Sequence, residues 1–169
     1  AQDAGGDRIA VRRRGDGQQE LTCFQACLAM FGADVWGIEI RDVGYLHARS
    51  GAAQAWLLLG DRDQARTLAE AELADARVSG GRRALGIALR VAGLATGGAD
   101  GLERLTESAG VLRESPARLE RAKSIAELGA ALRRAGQRAA ARPLLAEALD
   151  LAAGCGARPL ASRAHAELA

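Results

Sequence analysis

Residues 125–148 read IAELGAALRRAGQRAAARPLLAEA, in which Gly136 separates two alanine- and leucine-rich halves. Apolar residues recur every three or four positions in both halves, namely Ile125, Leu128, Leu132, Ala141, Leu145 and Ala148. This spacing places them on one face of a helix, and glycine commonly ends a helix. The stretch therefore predicts two amphipathic helices, which a short turn would pair as an antiparallel hairpin.

Two earlier segments have a similar layout, with first helices predicted to end at Gly60 and Gly93 and alanine-rich helices after them. Gly86 precedes Gly93 by seven residues, as Gly129 precedes Gly136. This arrangement resembles the tetratricopeptide repeat, in which a small residue at that position lets the two helices approach closely. Because one hairpin cannot bury all of its apolar surface, stacking is expected. The predicted fold is all-α, a right-handed α-solenoid of antiparallel helix hairpins.

Capping signals define the predicted helices. Asp61 fits an N-cap whose capping box would be completed by Gln64, and Ser115-Pro116 is a typical helix start. Asp100 is a further candidate N-cap, and Pro143 requires a first-turn position or a kink. The predicted helices span residues 19–31, 43–59, 62–78, 82–94, 101–113, 116–135, 137–153 and 159–169. Residues 1–18 are predicted to be a flexible linker or tail, and residues 19–169 the helical-repeat domain.

Composition supports a helical protein with an aliphatic core. Hydrophobic residues make up 49% of the chain but aromatic residues only 3%, so leucine, alanine, valine and isoleucine must fill the core. Lys123 is the only lysine, and this excess of arginine and alanine is typical of high-GC genomes such as those of actinobacteria. A net charge of +2 is too small to indicate nucleic-acid binding. No apolar run reaches the length of a membrane span.

The residues give no sign of catalysis. The sequence has neither a phosphate-binding loop nor a nucleophile elbow. Cys23 and Cys27 would supply half a zinc site at most, so we interpret them as small buried residues. With Cys155 they make an odd number, which favours reduced thiols and a cytoplasmic protein. His47 and His165 lie far apart, so we expect no enzyme, no metal site and no cofactor in this chain.

A closer resemblance is carried by residues 118–136 and 139–157, with residues 40–42 and 59–61 upstream. These stretches resemble the helical region of large ATP-binding LuxR-family transcription regulators, and the likeness extends over about residues 20–169. In that family an ATPase module precedes this region and a helix-turn-helix follows it. The resemblance implies a sensor or scaffold segment that relays partner or effector binding to ATPase and DNA-binding modules outside this chain. We therefore expect this chain to be part of a longer protein.

Two other functions remain open at this point: a stand-alone tetratricopeptide-like adaptor, and a sensor that binds a small molecule in the concave groove. Partners would be a protein, a peptide or other domains of the parent protein, and an anionic effector is also possible on charge grounds. Contact with DNA would occur only through a module outside this chain, and no membrane contact is expected.

The repeat register predicts which residues face a partner, because the first helix of each hairpin lines the concave face of a tetratricopeptide array. Alignment of the terminal glycines selects His47, Ser50, Gln54, Arg83, Ile87, Arg90, Lys123, Ala130 and Arg133. This face is basic on balance, which favours an acidic peptide or an anionic effector. The alternative is that these residues only hydrate the helices. A second basic cluster, Arg133, Arg134, Arg138 and Arg142, is also interpreted as a solvated surface.

Overall fold

A computed structural model of the chain describes residues 18, 19, 22 and 48–169. Residues 48–169 form seven helices and no strands, which confirms the predicted all-α class for this part of the chain. The helices are α1 (Ala48–Leu59), α2 (Arg62–Ser79), α3 (Arg82–Thr96), α4 (Gly98–Arg113), α5 (Arg118–Arg134), α6 (Arg138–Gly154) and α7 (Arg158–Leu168). The predicted tail before Gln18, Cys23, Cys27, His47 and nearly all of the predicted helix at 19–31 lie outside the described residues.

The predicted turn between α1 and α2 is confirmed. Gly60 adopts a φ of 88°, in the left-handed region that favours glycine. Asp61 is the N-cap of α2, and its Oδ1 accepts a hydrogen bond of 3.0 Å from the backbone N–H of Gln64. The other half of the capping box is replaced, because the backbone N–H of Asp61 donates to the carbonyl of Trp56 at 3.0 Å.

The prediction that a first helix ends at Gly93 is wrong. Helix α3 continues to Thr96, and Gly97, with a φ of 67°, makes the turn into α4. Gly93 instead lies where α3 and α4 come closest. A Cβ atom on Gly93 would lie 2.8 Å from the carbonyl oxygen of Gly101 and 2.9 Å from Cγ of Leu105. The glycine is thus required by the approach of another helix rather than by a helix end.

The predicted close approach at Gly86 and Gly129 is confirmed. A Cβ atom on Gly86 would lie 2.3 Å from Cγ of Leu112, on α4. On Gly129 it would lie 2.7 Å from Cγ of Leu145, on α6. Each glycine therefore makes room for a leucine of the helix that follows it, and both leucines are fully buried.

Two helix starts differ from the prediction, and that of the helix containing Pro143 agrees with it. Helix α4 begins at Gly98, so Asp100 lies in its first turn and is not the N-cap. Helix α5 begins at Arg118, after Ser115 and Pro116, and the Ser115 hydroxyl accepts from the N–H of Ala117 at 3.3 Å. Helix α6 begins at Arg138 and continues through Pro143. Because proline has no backbone N–H, the carbonyl of Ala139 lacks its helical donor. Ala139 is exposed, so water can satisfy that carbonyl.

Consecutive helices pack against each other along the whole described range. In addition, α1 packs against α3, α3 against α5, and α5 against α7. We call α1, α3, α5 and α7 the first helices, and α2, α4 and α6 the second helices. The interior is aliphatic, as predicted, with Leu73 and Leu89 in a cluster built from α1 to α3, and Leu105 and Leu145 in one built from α4 to α7.

Candidate functional site

Most of the residues predicted to face a partner are not freely exposed. Ser50, Ile87, Arg90 and Ala130 are each no more than 5% exposed, so they belong to the interior and not to an open face. The physical reason is that neighbouring first helices pack directly on one another. On α3 the predicted repeat register is also wrong, because the alignment treats Gly93 as the end of the helix, whereas α3 ends at Thr96.

The other predicted residues that the structure describes lie at or near the surface. Gln54 and Arg83 are exposed, whereas Lys123 and Arg133 are half-buried. Gln54 donates from Nε2 to the carbonyl of Ser50 at 3.1 Å. Arg133 donates from Nη1 to the carbonyl of Glu167 at 2.8 Å and pairs with its carboxylate at 3.0 Å. Arg133 thus ties α5 to the last turn of α7.

The structure brings two of the predicted residues, Arg90 and Lys123, onto a single carboxylate. Arg90 Nη2 lies 2.6 Å from Oε2 of Glu120, and Lys123 Nζ lies 2.8 Å from its Oε1. Arg90 Nη1 also donates to the carbonyl oxygen of Glu120 at 3.1 Å and to the hydroxyl of Ser124 at 3.2 Å. A buried charge on α3 is therefore matched by a charge and by polar atoms on α5.

Two buried hydroxyls extend this network into α4. The Ser108 hydroxyl donates to the carbonyl of Gly86 at 2.6 Å, and its oxygen lies 2.8 Å from that of Ser124. Because each hydroxyl carries one proton, we assign Ser124 as the donor to Ser108. Both serines are completely buried, and both are satisfied by this chain of bonds. The network links α3, α4 and α5 at one point.

The charge state of Glu120 follows from its surroundings. Burial alone would raise the pKa of Glu120, but the Arg90 and Lys123 cations beside it outweigh that effect and lower the pKa below its ordinary value. Glu120 is therefore ionised at neutral pH, and its two oxygens are occupied by Arg90 and Lys123. We interpret this network as structural, because its polar groups form hydrogen bonds and ion pairs with one another.

An open groove of about 1270 Å³ lies beside the turn between α3 and α4. We call it the tip groove. Its floor is formed by Gly93, Leu94, Gly97, Gly98, Gly101 and Leu102. On one side it is lined by Leu57, Leu58 and Arg62, and on the other by Ala131, Arg134, Ala135 and Gln137. Gln54 is the one predicted partner residue that lines it among those described.

The tip groove results from a difference in turn position. Arg90 on α3 bonds to Glu120 and Ser124 on α5, so these residues mark one level of the two packed helices. Only six residues of α3 follow Arg90, whereas ten residues of α5 follow Ser124. The α3–α4 turn therefore comes about one helical turn, or about 5 Å, early. Its neighbours project past it and form the walls.

The predicted basic cluster at 133–142 is divided between different surroundings. Arg133 pairs with α7, and Arg134 lines the tip groove. Arg138 and Arg142 line a smaller groove of about 240 Å³ near Glu167. Neither of these two arginines has an ion-pair partner among residues 48–169, which agrees with a solvated surface for this part of the cluster.

Other candidate groups do not assemble. Within the described residues, no three side chains of histidine, cysteine, aspartate or glutamate are placed to share a metal ion. Cys155 is exposed just after α6, and His165 is exposed on α7. No helix among those described has both the length and the apolar character required to cross a membrane.

Comparison with known proteins gives no assignment, because the chain matches neither a protein-family model nor a curated protein sequence.

Proposed function

We propose that this chain is a non-catalytic protein-interaction domain built as a right-handed α-solenoid of tetratricopeptide-like hairpins. The observation that carries the proposal is the packing order. Each of α1, α3 and α5 packs both on the second helix that follows it and on the next first helix. Repeats that contact only their neighbours produce extended surfaces, and such surfaces commonly bind proteins or peptides.

The tip groove supports a partner larger than a metabolite. It is open to solvent along the turn and has about 1270 Å³ of space, whereas sites for small molecules are mostly enclosed and of about 300–1,000 Å³. A peptide segment or a loop of another domain fits such an opening. The small-molecule sensor is therefore the weaker alternative.

We propose further that the domain belongs to a LuxR-type ATP-binding regulator and acts in the cytoplasm. The support is the sequence resemblance over about residues 20–169. In this role, binding of a partner would be relayed to ATPase and DNA-binding modules elsewhere in the parent protein. If those modules are absent, the same packing supports a stand-alone adaptor.

A peptide-display selection on the purified chain tests the interaction function. We expect selected peptides to bind, and hydrogen exchange to show protection in the first helices or along the tip groove. A selection that enriches no binder would overturn the proposal. The parental link has its own test, the coding sequence on both sides of this segment. An upstream phosphate-binding loop and a downstream helix-turn-helix are expected, and the lack of both would overturn the parental link.

A further inference from the structure

We propose that the tip groove binds an acidic, aliphatic peptide segment of the partner, an inference that rests on the proposed interaction function. The segment would place aliphatic side chains on the groove floor and carboxylates against the two arginine-bearing walls. This assigns both a location and a chemistry to partner binding. It differs from the predicted concave face, several of whose residues are buried.

The apolar half of the inference comes from the floor and one wall. Gly97 and Gly98 present no side chain at the turn, so a bound chain can approach their backbone closely. Leu94 and Leu102 are only partly buried and leave apolar surface in the floor. Leu58 on the wall is 48% exposed and adds apolar surface beside the floor.

The preference for an acidic peptide follows from arginine side chains that lack an ion-pair partner. Arg62 at the start of α2 and Arg134 at the end of α5 lie on either side of the α3–α4 turn, and both are exposed. Neither has an ion-pair partner among residues 48–169. Glu127 is the one carboxylate among the described lining residues, and it pairs with Arg163 at 2.6 Å. The lining therefore has a net positive charge, which favours a ligand with at least two carboxylates.

The same lining argues against nucleic acid as the occupant. Single-stranded nucleic acid is commonly held by aromatic side chains on which the bases stack. The described residues of the groove include no aromatic side chain. Its arginines are also few and stand beside aliphatic surface, which suits a peptide that alternates acidic and aliphatic residues.

Fluorescence anisotropy with the full chain tests the inference. The probe is a short fluorescein-labelled peptide of glutamate and leucine, and its matched control replaces every glutamate with glutamine. We expect the glutamate peptide to bind at least about tenfold more tightly at low salt, and the difference to shrink as salt screens the charges. Equal affinities for the two peptides would overturn the inference, as would a lack of binding by the glutamate peptide at millimolar concentration.

Charge-reversal variants locate the site. The double variant Arg62→Glu, Arg134→Glu should weaken binding of the glutamate peptide at least about tenfold. The control pair is Arg66→Glu with Arg113→Glu, because Arg66 lies on α2 and Arg113 ends α4, both are exposed, and neither lines the groove. The control should alter affinity less than about twofold. Circular dichroism establishes that both variants are folded.

A charge-neutral variant tests the apolar half. Leu58→Ser should weaken binding of the glutamate peptide about threefold or more, without change in its salt dependence. Wild-type affinity in Leu58→Ser or in the double reversal would remove the groove as the site. If display-selected peptides bind elsewhere on the same chain, the interaction function stands and this inference fails. If no peptide binds anywhere, both fail.

Discussion

Arg90 on α3 and Glu120 on α5 form an ion pair of 2.6 Å that joins two consecutive first helices inside the protein. The two side chains are only 5% and 11% exposed. Charges so far from water are tolerated when each is paired and hydrogen-bonded, and both conditions hold here through Ser124 and Lys123. The pair therefore fixes how α5 lies on α3, since a shift of either helix would leave a buried charge unmatched.

Removal of one partner should destabilise the fold strongly. Glu120→Gln should lower the free energy of unfolding by about 3 kcal/mol, because it leaves the buried Arg90 cation without a counter-charge. Arg90→Met should cost about as much, because Oε2 of the buried Glu120 carboxylate then loses its donor and Lys123 alone pairs with that side chain. The double variant Arg90→Met, Glu120→Gln should cost clearly less than the sum of the two single losses. Urea unfolding measures all of these.

The control for this prediction is the more exposed pair Arg104–Glu70, whose side chains are 27% and 41% exposed. Glu70→Gln should cost less than about 1 kcal/mol, since water screens such pairs. Losses that add fully in the buried double variant, or equal losses at the buried and exposed pairs, would contradict the assigned role of Arg90 and Glu120.

The same carboxylate predicts a pH dependence. The pKa of Glu120 is lower in the folded protein than in the unfolded chain, so the folded state holds its proton less tightly. Its contribution to stability is thus complete above the unfolded pKa, about 4, and is lost as pH falls through the lowered folded pKa. The stability difference between wild type and Glu120→Gln should be greatest near neutral pH and shrink in acid.

Urea titrations at a series of pH values measure this difference. A difference that stays constant down to about pH 3, or that grows in acid, would show that Glu120 does not draw its stabilising effect from ionisation. Comparison with the variant cancels the contributions of the other carboxylates.

Local signals in the sequence predicted the helices well, and a long-range contact explains the main error. Asp61 caps a helix and Gly136 makes a turn through interactions with residues only a few positions away in the chain. Both roles are therefore visible in the sequence. Gly93 has the same local appearance as Gly136. Its role depends on Gly101 and Leu105 of the next helix, and no local pattern contains that contact.

The buried polar network has a weaker signal in the sequence than the caps and turns. Ser108 falls between Leu105 and Leu112 at helical spacing, which is the signature of a polar residue on an apolar face. That signal could have marked Ser108 as buried, but its partner Ser124 lies on another helix. The pairing of Arg90 with Glu120 spans thirty residues and depends on the packing of α3 on α5. The tip groove likewise requires the relative position of three turns.

The N-cap of α2 gives a prediction of moderate size. Asp61→Ala should lower the free energy of unfolding by about 1 kcal/mol, because the N–H of Gln64 loses its acceptor. Asp63→Ala is the matched control. Asp63 also lies near the positive end of α2 but is not the cap, so its loss should cost less, about 0.5 kcal/mol. Equal effects in thermal unfolding would indicate that charge alone, and not the capping bond, matters at Asp61.

The effect of a Gly→Ala substitution on stability should depend on whether a neighbouring helix contacts the glycine. Gly86→Ala should destabilise the fold by about 1–3 kcal/mol, although alanine is the better helix former, because its Cβ would fall 2.3 Å from Cγ of Leu112. Gly110→Ala, inside α4, should instead stabilise by about 0.5–1 kcal/mol, since nothing lies within 4 Å of its added Cβ. Urea unfolding measures both signs. If the two substitutions shifted stability in the same direction, helix propensity would dominate and the close approach of α3 to α4 at Gly86 would be wrong.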